Sequence, residues 1–192
     1  MKSTAFTLRS ADRSHAKRLH RLIGANLEEG HLLPRTLDEI SVHAERFVIV
    51  LRGRALVGCA ELAPLSALVA EVRSLVVVES ARGAGVGTLL VNELGRRARR
   101  AGYEKLSAFT HAPRYFIGLG FSIVPHLWLH EKMSTDCVTC PQFRHCGQYA
   151  MVLSLDEARD RSLDEDRDRS LDDTRDAARE REQTLVPVVR YA

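Results

Sequence analysis

The apolar positions of this chain change period several times along its length, and each change marks an element. Ala5–Leu8 reads as a short first strand. Over Asp12–Leu27 the residues Ala16, Leu19, Leu22, Ile23 and Leu27 recur at helical spacing and share one face. Thr36 followed by Glu39 has the spacing of a capping box, which predicts a second helix running to about Glu45. Two apolar stretches, Phe47–Arg52 and Ala55–Leu62, flank Gly53-Arg54 and predict a hairpin. Leu68–Val78 predicts a long strand that ends in the unbroken run Leu75–Val78. A glycine-rich turn follows, then a helix over Thr88–Ala101 stopped by Gly102. Lys105–Thr110 reads as a strand, Pro113–Leu119 as a short helix, and Phe121–Val124 and Gln148–Leu155 as the last strands. The order β-α-α-β-β-β-α-β-α-β-β belongs to the α/β class, a mixed central sheet flanked by helices on both faces.

Beyond this pattern the periodicity disappears and a repeat takes its place. Ser154–Arg161, Ser162–Arg169 and Ser170–Ala177 are three copies of one eight-residue unit beginning Ser-Leu-Asp. Eight residues advance an α-helix about 80° past two full turns, so Leu155, Leu163 and Leu171 would spiral around it. With 19 of 30 residues charged from Ser154 to Gln183, the segment cannot bury enough apolar surface to fold alone. The expected organisation is one domain over residues 1–155 and a charged repeat tail over 156–192, a solvated helix or a disordered segment with no identifiable partner.

Composition narrows the class. The 192 residues are 45% hydrophobic and 28% charged, enough for one ordinary core. No apolar stretch approaches the ~20 residues that cross a bilayer, and Met1–Arg9 lacks the apolar centre of a secretory signal. Four cysteines are too few for a disulfide framework at this length, so a cytoplasmic location is expected. The net charge of +3 conceals an asymmetry. Residues 1–153 carry 20 Lys and Arg against 13 Asp and Glu, while the remainder carries 8 against 12. A basic domain favours an anionic partner without saying which.

The sharpest motif is Arg82-Gly83-Ala84-Gly85-Val86-Gly87-Thr88, set between an apolar strand and a helix. Backbone N–H groups at a helix N-terminus favour an anion, and glycines let a phosphate approach closely. The dinucleotide fingerprint fails because Thr88 stands where its last Gly or Ala is required. A P-loop fails because the turn holds no lysine. What remains, Arg-x-x-Gly-x-Gly after a strand, resembles the coenzyme A pyrophosphate loop of the GNAT N-acetyltransferase superfamily. The element order over about residues 5–153 is similar too.

That resemblance implies the GNAT acyl-CoA N-acyltransferase fold, acetyl-CoA as cosubstrate, and direct transfer to an uncharged amine without an acyl-enzyme. It implies that amides of Arg82, Gly83, Ala84, Gly85, Val86, Gly87 and Thr88 bind the pyrophosphate. The strand edge at Leu75, Val76 and Val77 would pair with the pantetheine arm. Glu71 is the implied general base, its alternative an ordinary strand carboxylate paired with Arg73 two residues on. The family's usual acid is a tyrosine, and Phe116 stands at its place with Tyr115 one step earlier. Tyr115 is therefore the candidate acid; the alternatives are protonation by solvent and a packing role for the ring.

Three further stretches, Gly30–Arg35, Ala70–Leu75 and His130–Pro141, resemble the acetyltransferase domain of the N-acetylglutamate synthases, particularly short bacterial forms. Many relatives carry Leu-Pro-Glu-Lys where this chain has Leu129-His130-Glu131-Lys132. The resemblance implies a small acidic amino acid, glutamate, as acceptor, in the first step of arginine biosynthesis, and Leu33, Arg35, Arg73 and Lys132 as substrate-binding residues. Arg35 can hold a carboxylate bidentately and Lys132 can add a second positive charge. The alternatives are a helix-flanking surface arginine and a solvated lysine.

Other clusters carry less. Arg96, Arg97, Arg99 and Arg100 read as a solvated helix face, with contact to the 3′-phosphate of coenzyme A as the alternative. No aromatic residues interleave with them, so neither nucleic acid nor a membrane is expected as partner. Cys137, Cys140 and Cys146, with His130 or His145, could supply four zinc ligands, but the spacing is incomplete and no metal is assigned. A homodimer is compatible with everything above. Two other function classes stay open: acetylation of a different amine, and a non-catalytic acetyl-CoA-binding module.

Overall fold

The computed structural model describes residues 5–27 and 32–155. The repeat tail, like Gly30, lies outside the described residues. Seven strands form one sheet in the order β1-β2-β3-β4-β5-β7-β6. They are β1 (Phe6–Ser10), β2 (Phe47–Arg52), β3 (Ala55–Pro64), β4 (Val69–Val77), β5 (Lys105–Thr110), β6 (Ser122–Val124) and β7 (Tyr149–Ser154). The helices are α1 (Ala16–Gly24), α2 (Leu37–Val42), α3 (Val86–Arg100), α4 (Pro113–Ile117) and α5 (His130–Thr135).

Burial on both faces explains the unbroken apolar strands. In β2, Val48 and Val50 enter a core shared with Val86, Leu90, Val91 and Leu94 of α3. Phe47, Ile49 and Leu51 point the other way, onto Leu19 and Ile23 of α1 and Ile40 of α2. The period-2 alternation therefore sorts residues between two apolar layers. The hairpin is closed by Gly53 at φ 61°, with Arg52 opposite Ala55. Thr36 caps α2 by accepting from the Glu39 N–H at 3.2 Å. That helix stops at Val42 and is followed by a 3₁₀ turn at Ala44–Arg46, which leads directly into β2 at Phe47. Against the sequence pattern, α1 spans Ala16–Gly24 after a 3₁₀ turn at Arg13–His15, α3 starts two residues earlier at Val86, and α5 is a short helix in a stretch with little apolar periodicity.

Two features of β4 shape everything functional. The strand pairs in parallel with β5 only from Val69↔Lys105 to Val72↔Ala108, whereas its antiparallel pairing with β3 continues to Val77↔Gly58. The two parallel strands thus part after Val72, leaving one edge of Arg73–Val77 without a strand partner. At the same point the register with β3 shifts: Arg73 faces Glu61 and Val76 faces Cys59, so Ser74 and Leu75 together oppose Ala60. This is a β-bulge, and Ser74 within it has φ 49°. A non-glycine residue held there costs about 1–3 kcal/mol and persists only where its surroundings fix it.

Candidate active site

Where β4 and β5 part, a cleft of about 340 Å³ opens. Val72 and Ser74–Val77 form one wall, Phe109–Ala112 the other, and Arg82, Tyr115 and Phe116 also line it. Arg82 donates from Nε to the Val77 carbonyl at 3.2 Å, tying the turn to the end of β4. Gly85 is the N-cap of α3 at φ 78°, a left-handed conformation, and a Cβ built on it meets nothing within 4 Å. Gly87 is different: a Cβ there would stand 2.6 Å from the Tyr115 hydroxyl, so the glycine is what lets α4 approach α3. The first-turn N–H groups of Val86, Gly87 and Thr88 have no carbonyl partner within their helix. Burial raises the Tyr115 phenol above its ordinary value, against an opposing hydrogen bond with Thr88. Phe116 is buried, edge-on to Phe121 and Tyr115.

A second cavity of about 350 Å³ shares Leu32, Val72, Ser74 and Phe109 with this cleft. Its walls carry three cations, Arg35, Arg73 and Lys132, and three carboxylates, Glu39, Glu71 and Asp136. Glu71, 3% exposed on β4, receives Lys132 Nζ at 2.8 Å on Oε1 and Arg73 Nε at 2.5 Å on Oε2. Asp136 receives Lys132 Nζ at 2.8 Å and pairs with the Arg73 guanidinium. Burial alone would raise the Asp136 carboxyl, but Lys132 and Arg73 outweigh it and hold it below the usual carboxylate value. Lys132 also lies 5.3 Å from the Phe109 ring centroid. Arg35 pairs through Nε with Glu39 at 2.6 Å and through Nη1 with Glu61 at 2.8 Å.

A third cavity, about 240 Å³, adjoins the second through Leu33, Phe109, Lys132, Asp136, Cys140 and Gln148. Cys137, Cys140 and Cys146 line it, with His126 rather than His130 or His145. All four cysteines are free thiols, and among the described residues no three His, Cys, Asp or Glu side chains converge to hold a metal ion. Cys59 lies elsewhere, fully buried, with its thiol pushed up to about 12 by that burial.

Residues 15–121 match the family model described as Acetyltransferase (GNAT) family. The chain belongs to the GNAT acetyltransferase family. It is thus an acetyltransferase with acetyl-CoA as donor. An uncharacterized N-acetyltransferase of Chlorobaculum tepidum is 28% identical over 148 residues, 77% of this chain and 96% of its own length. An amino-acid acetyltransferase of Shewanella oneidensis is 33% identical over 122 residues, 62% of this chain but 27% of its own length. The chain therefore spans about a quarter of that curated relative. Among solved structures, Mycobacterium tuberculosis Rv2747 in complex with CoA and NLQ superposes with a TM-score of 0.68 at 20% identity, covering 77% of this chain and 98% of that one. N-acetylglutamate synthase from Neisseria gonorrhoeae, complexed with coenzyme A and N-acetyl-glutamate, gives 0.67 at 23% identity, covering 81% and 36%. These two structures speak for the GNAT fold.

In this GNAT acetyltransferase most sequence-derived candidates divide between the two larger cavities, while Gly83, Ala84, Gly85, Val86, Gly87 and Thr88 line neither. Leu75, Val76, Val77, Arg82 and Tyr115 line the strand cleft, while Leu33, Arg35, Glu71, Arg73 and Lys132 line the charged pocket. Tyr115 is not brought to Glu71; its hydroxyl lies against Gly87 at the start of α3. The pairing of Glu71 with Arg73 is present, and Lys132 joins it. Arg96 and Arg97 both pair with Glu93 in α3, and Arg97 reaches Ser10 at 2.7 Å. Sequence reasoning did not assign Glu39, Glu61, Ser74 or Asp136 to the site. A lone carboxylate in a strand or loop carries no local signal, because its partners are brought to it only by the fold. Among the described residues no helix is long and apolar enough to cross a membrane.

Proposed function

We propose that the chain transfers acetyl from acetyl-CoA to the α-amine of L-glutamate, giving N-acetyl-L-glutamate as in the entry to arginine biosynthesis. The observation that carries this reading is the convergence of Arg35, Arg73 and Lys132, from a loop, a strand and a helix, on a pocket that meets the strand cleft at Val72, Ser74 and Phe109. The open left-handed glycine at position 85 and the free edge of Arg73–Val77 fit a pyrophosphate and an extended pantetheine arm. The α-amine is placed near Glu71, which takes its proton, and attack on the thioester carbonyl releases the CoA thiol. Transfer is direct in this reading, and Cys59 takes no part in it: that thiol lines neither cavity and stays protonated at neutral pH. Tyr115 keeps its proton and is the candidate donor at the cleft side, with solvent as the alternative. The Shewanella and Neisseria relatives support the choice of acceptor by their names. The domain boundary near Leu155 belongs to the same proposal: Leu155 is buried and its N–H bonds Glu104 at 2.8 Å.

A second reading, acetylation of a cationic amine, draws on the three carboxylates in the same pocket. The deciding experiment follows CoA-thiol release from acetyl-CoA across glutamate, glutamine, other amino acids and polyamines. Glutamate should give the highest kcat/KM. Faster turnover of lysine, arginine or a polyamine would overturn the glutamate assignment and leave the acetyltransferase standing.

A further inference from the structure

Glu61 lines neither of the two larger cavities, yet it is 1% exposed and charged, in a strand whose other inward residues are apolar. A carboxylate buried so deeply needs a partner, and the partner is Arg35, whose Nη1 also reaches the Ser74 hydroxyl at 3.3 Å. Ser74 is the left-handed residue of the β4 bulge and lines both cavities. Its carbonyl is held from the other side, accepting from the Cys59 thiol at 3.5 Å. The strained residue is thus gripped at its hydroxyl and its carbonyl by side chains from outside its own strand. Directly after it come Leu75, Val76 and Val77, the free edge of the cleft.

We infer that Glu61 is a positioning residue for the acetyl donor: through Arg35 it fixes the Ser74 bulge, and the bulge sets the aim of the β4 edge that the donor uses. Glu61 lines neither cavity, so it acts on the donor edge through this chain of contacts; across the strands it also faces Arg73. The same contacts couple the two substrates. An acceptor carboxylate drawn to Arg35 competes with Glu61 and Ser74 for the same guanidinium, so acceptor binding is felt at the donor edge. The inference rests on the reading of the strand cleft as the donor site.

The test measures CoA affinity by titration calorimetry in wild type, Glu61→Gln, Glu61→Asp, Ser74→Gly and the Glu61→Gln/Ser74→Gly double variant. Glu61→Gln should weaken CoA about five- to tenfold, within the usual range of coupling between sites. Glu61→Asp keeps the charge and should fall between it and wild type. Glycine adopts positive φ without strain, so in the Ser74→Gly background the effect of Glu61→Gln should shrink to less than about twofold. Unchanged CoA affinity in a folded Glu61→Gln protein overturns the inference. So does an equal loss in both backgrounds, which would make Glu61 a support of general stability. If Glu61→Gln does not fold, Cys59→Ala tests the other grip on Ser74, and its CoA affinity should fall in the wild-type background but not in Ser74→Gly. Failure of the donor-site reading is distinguishable, because wild type and Gly85→Glu would then bind CoA alike.

Discussion

The strand cleft and the charged pocket are neighbours of nearly equal volume, and they are made of different materials. The cleft is built from backbone: a strand edge left free where β4 and β5 part, and a helix start capped by a left-handed glycine. The pocket is built from side chains, with three cations and three carboxylates drawn from the loop before α2, from α2 itself, from β4 and from α5 with its C-cap. A backbone site tolerates changes in most side chains and fails when the chain path is altered. A side-chain site fails group by group, and each loss strands an opposite charge. The bulge at Ser74 is where one kind of construction hands over to the other.

The largest expected effect is therefore on the backbone side. Gly85→Glu places a side chain at φ 78°, at a strain of about 1–2 kcal/mol, and a negative charge where the pyrophosphate is proposed to sit. CoA binding should be lost, by more than about 100-fold (roughly 2.7 kcal/mol), while the far-ultraviolet circular dichroism stays native. Unchanged CoA affinity in the folded variant would break the contrast at its root. Next in size is Glu71→Gln, which keeps shape and removes a base. Turnover should fall by about 10² or more with CoA affinity nearly constant, and the acidic limb of the pH–rate profile should change. Wild-type turnover with an unaltered profile would return Glu71 to the role of partner for Arg73 and Lys132.

These two sites also differ in how far the sequence discloses them. The glycine turn is contiguous, so the turn into α3 at Arg82–Thr88 is legible from spacing alone, and the strand before it from its apolar run. The α/β order is legible for the same reason, since each element is signalled within its own residues. Lys132 could be named only from a family-like segment, because α5 has too little apolar periodicity to announce a helix. Glu61 lies 26 residues from Arg35, and Asp136 lies 63 from Arg73. Pairings at such distances exist only after the sheet has formed, and no local pattern encodes them. Ser74 is the clearest case: nothing in Arg73-Ser74-Leu75 foretells a positive φ, which arises from a register shift against β3.

The pairing found in the structure changes how Arg35 should be tested. Arg35→Ala would leave Glu61 as a buried unpaired charge, a loss of about 3–5 kcal/mol of stability that would obscure any effect on substrate. Arg35→Lys keeps the charge and loses the planar fork. The KM for glutamate should rise about tenfold, the KM for acetyl-CoA by less, and the melting temperature should change little. An equal rise in both constants would mean that Arg35 serves the bulge alone. A preserved glutamate KM would remove it from the acceptor site.

The smallest effect distinguishes charge from packing inside the pocket. Asp136 is held below the usual carboxylate value chiefly because Lys132 and Arg73 outweigh its burial. A carboxyl whose folded value is depressed adds stability that is complete above its unfolded value of 3.8 and is lost as pH falls through the lower folded value. The group is 35% exposed, so solvent screening limits its contribution to at most about 1 kcal/mol. Asp136→Asn should therefore lower the melting temperature by about 2–4 °C at neutral pH. That gap should close as the pH is taken below 3.8, because wild type then loses the same charge. A gap that stays constant down to acid pH would mean Asp136 acts by shape, and the pocket would be less electrostatic than its three cations and three carboxylates suggest. Gly85→Glu should show no such closing gap in its loss of CoA binding over the pH range where its new carboxylate stays ionised, since the defect there lies in the chain path as well as the charge.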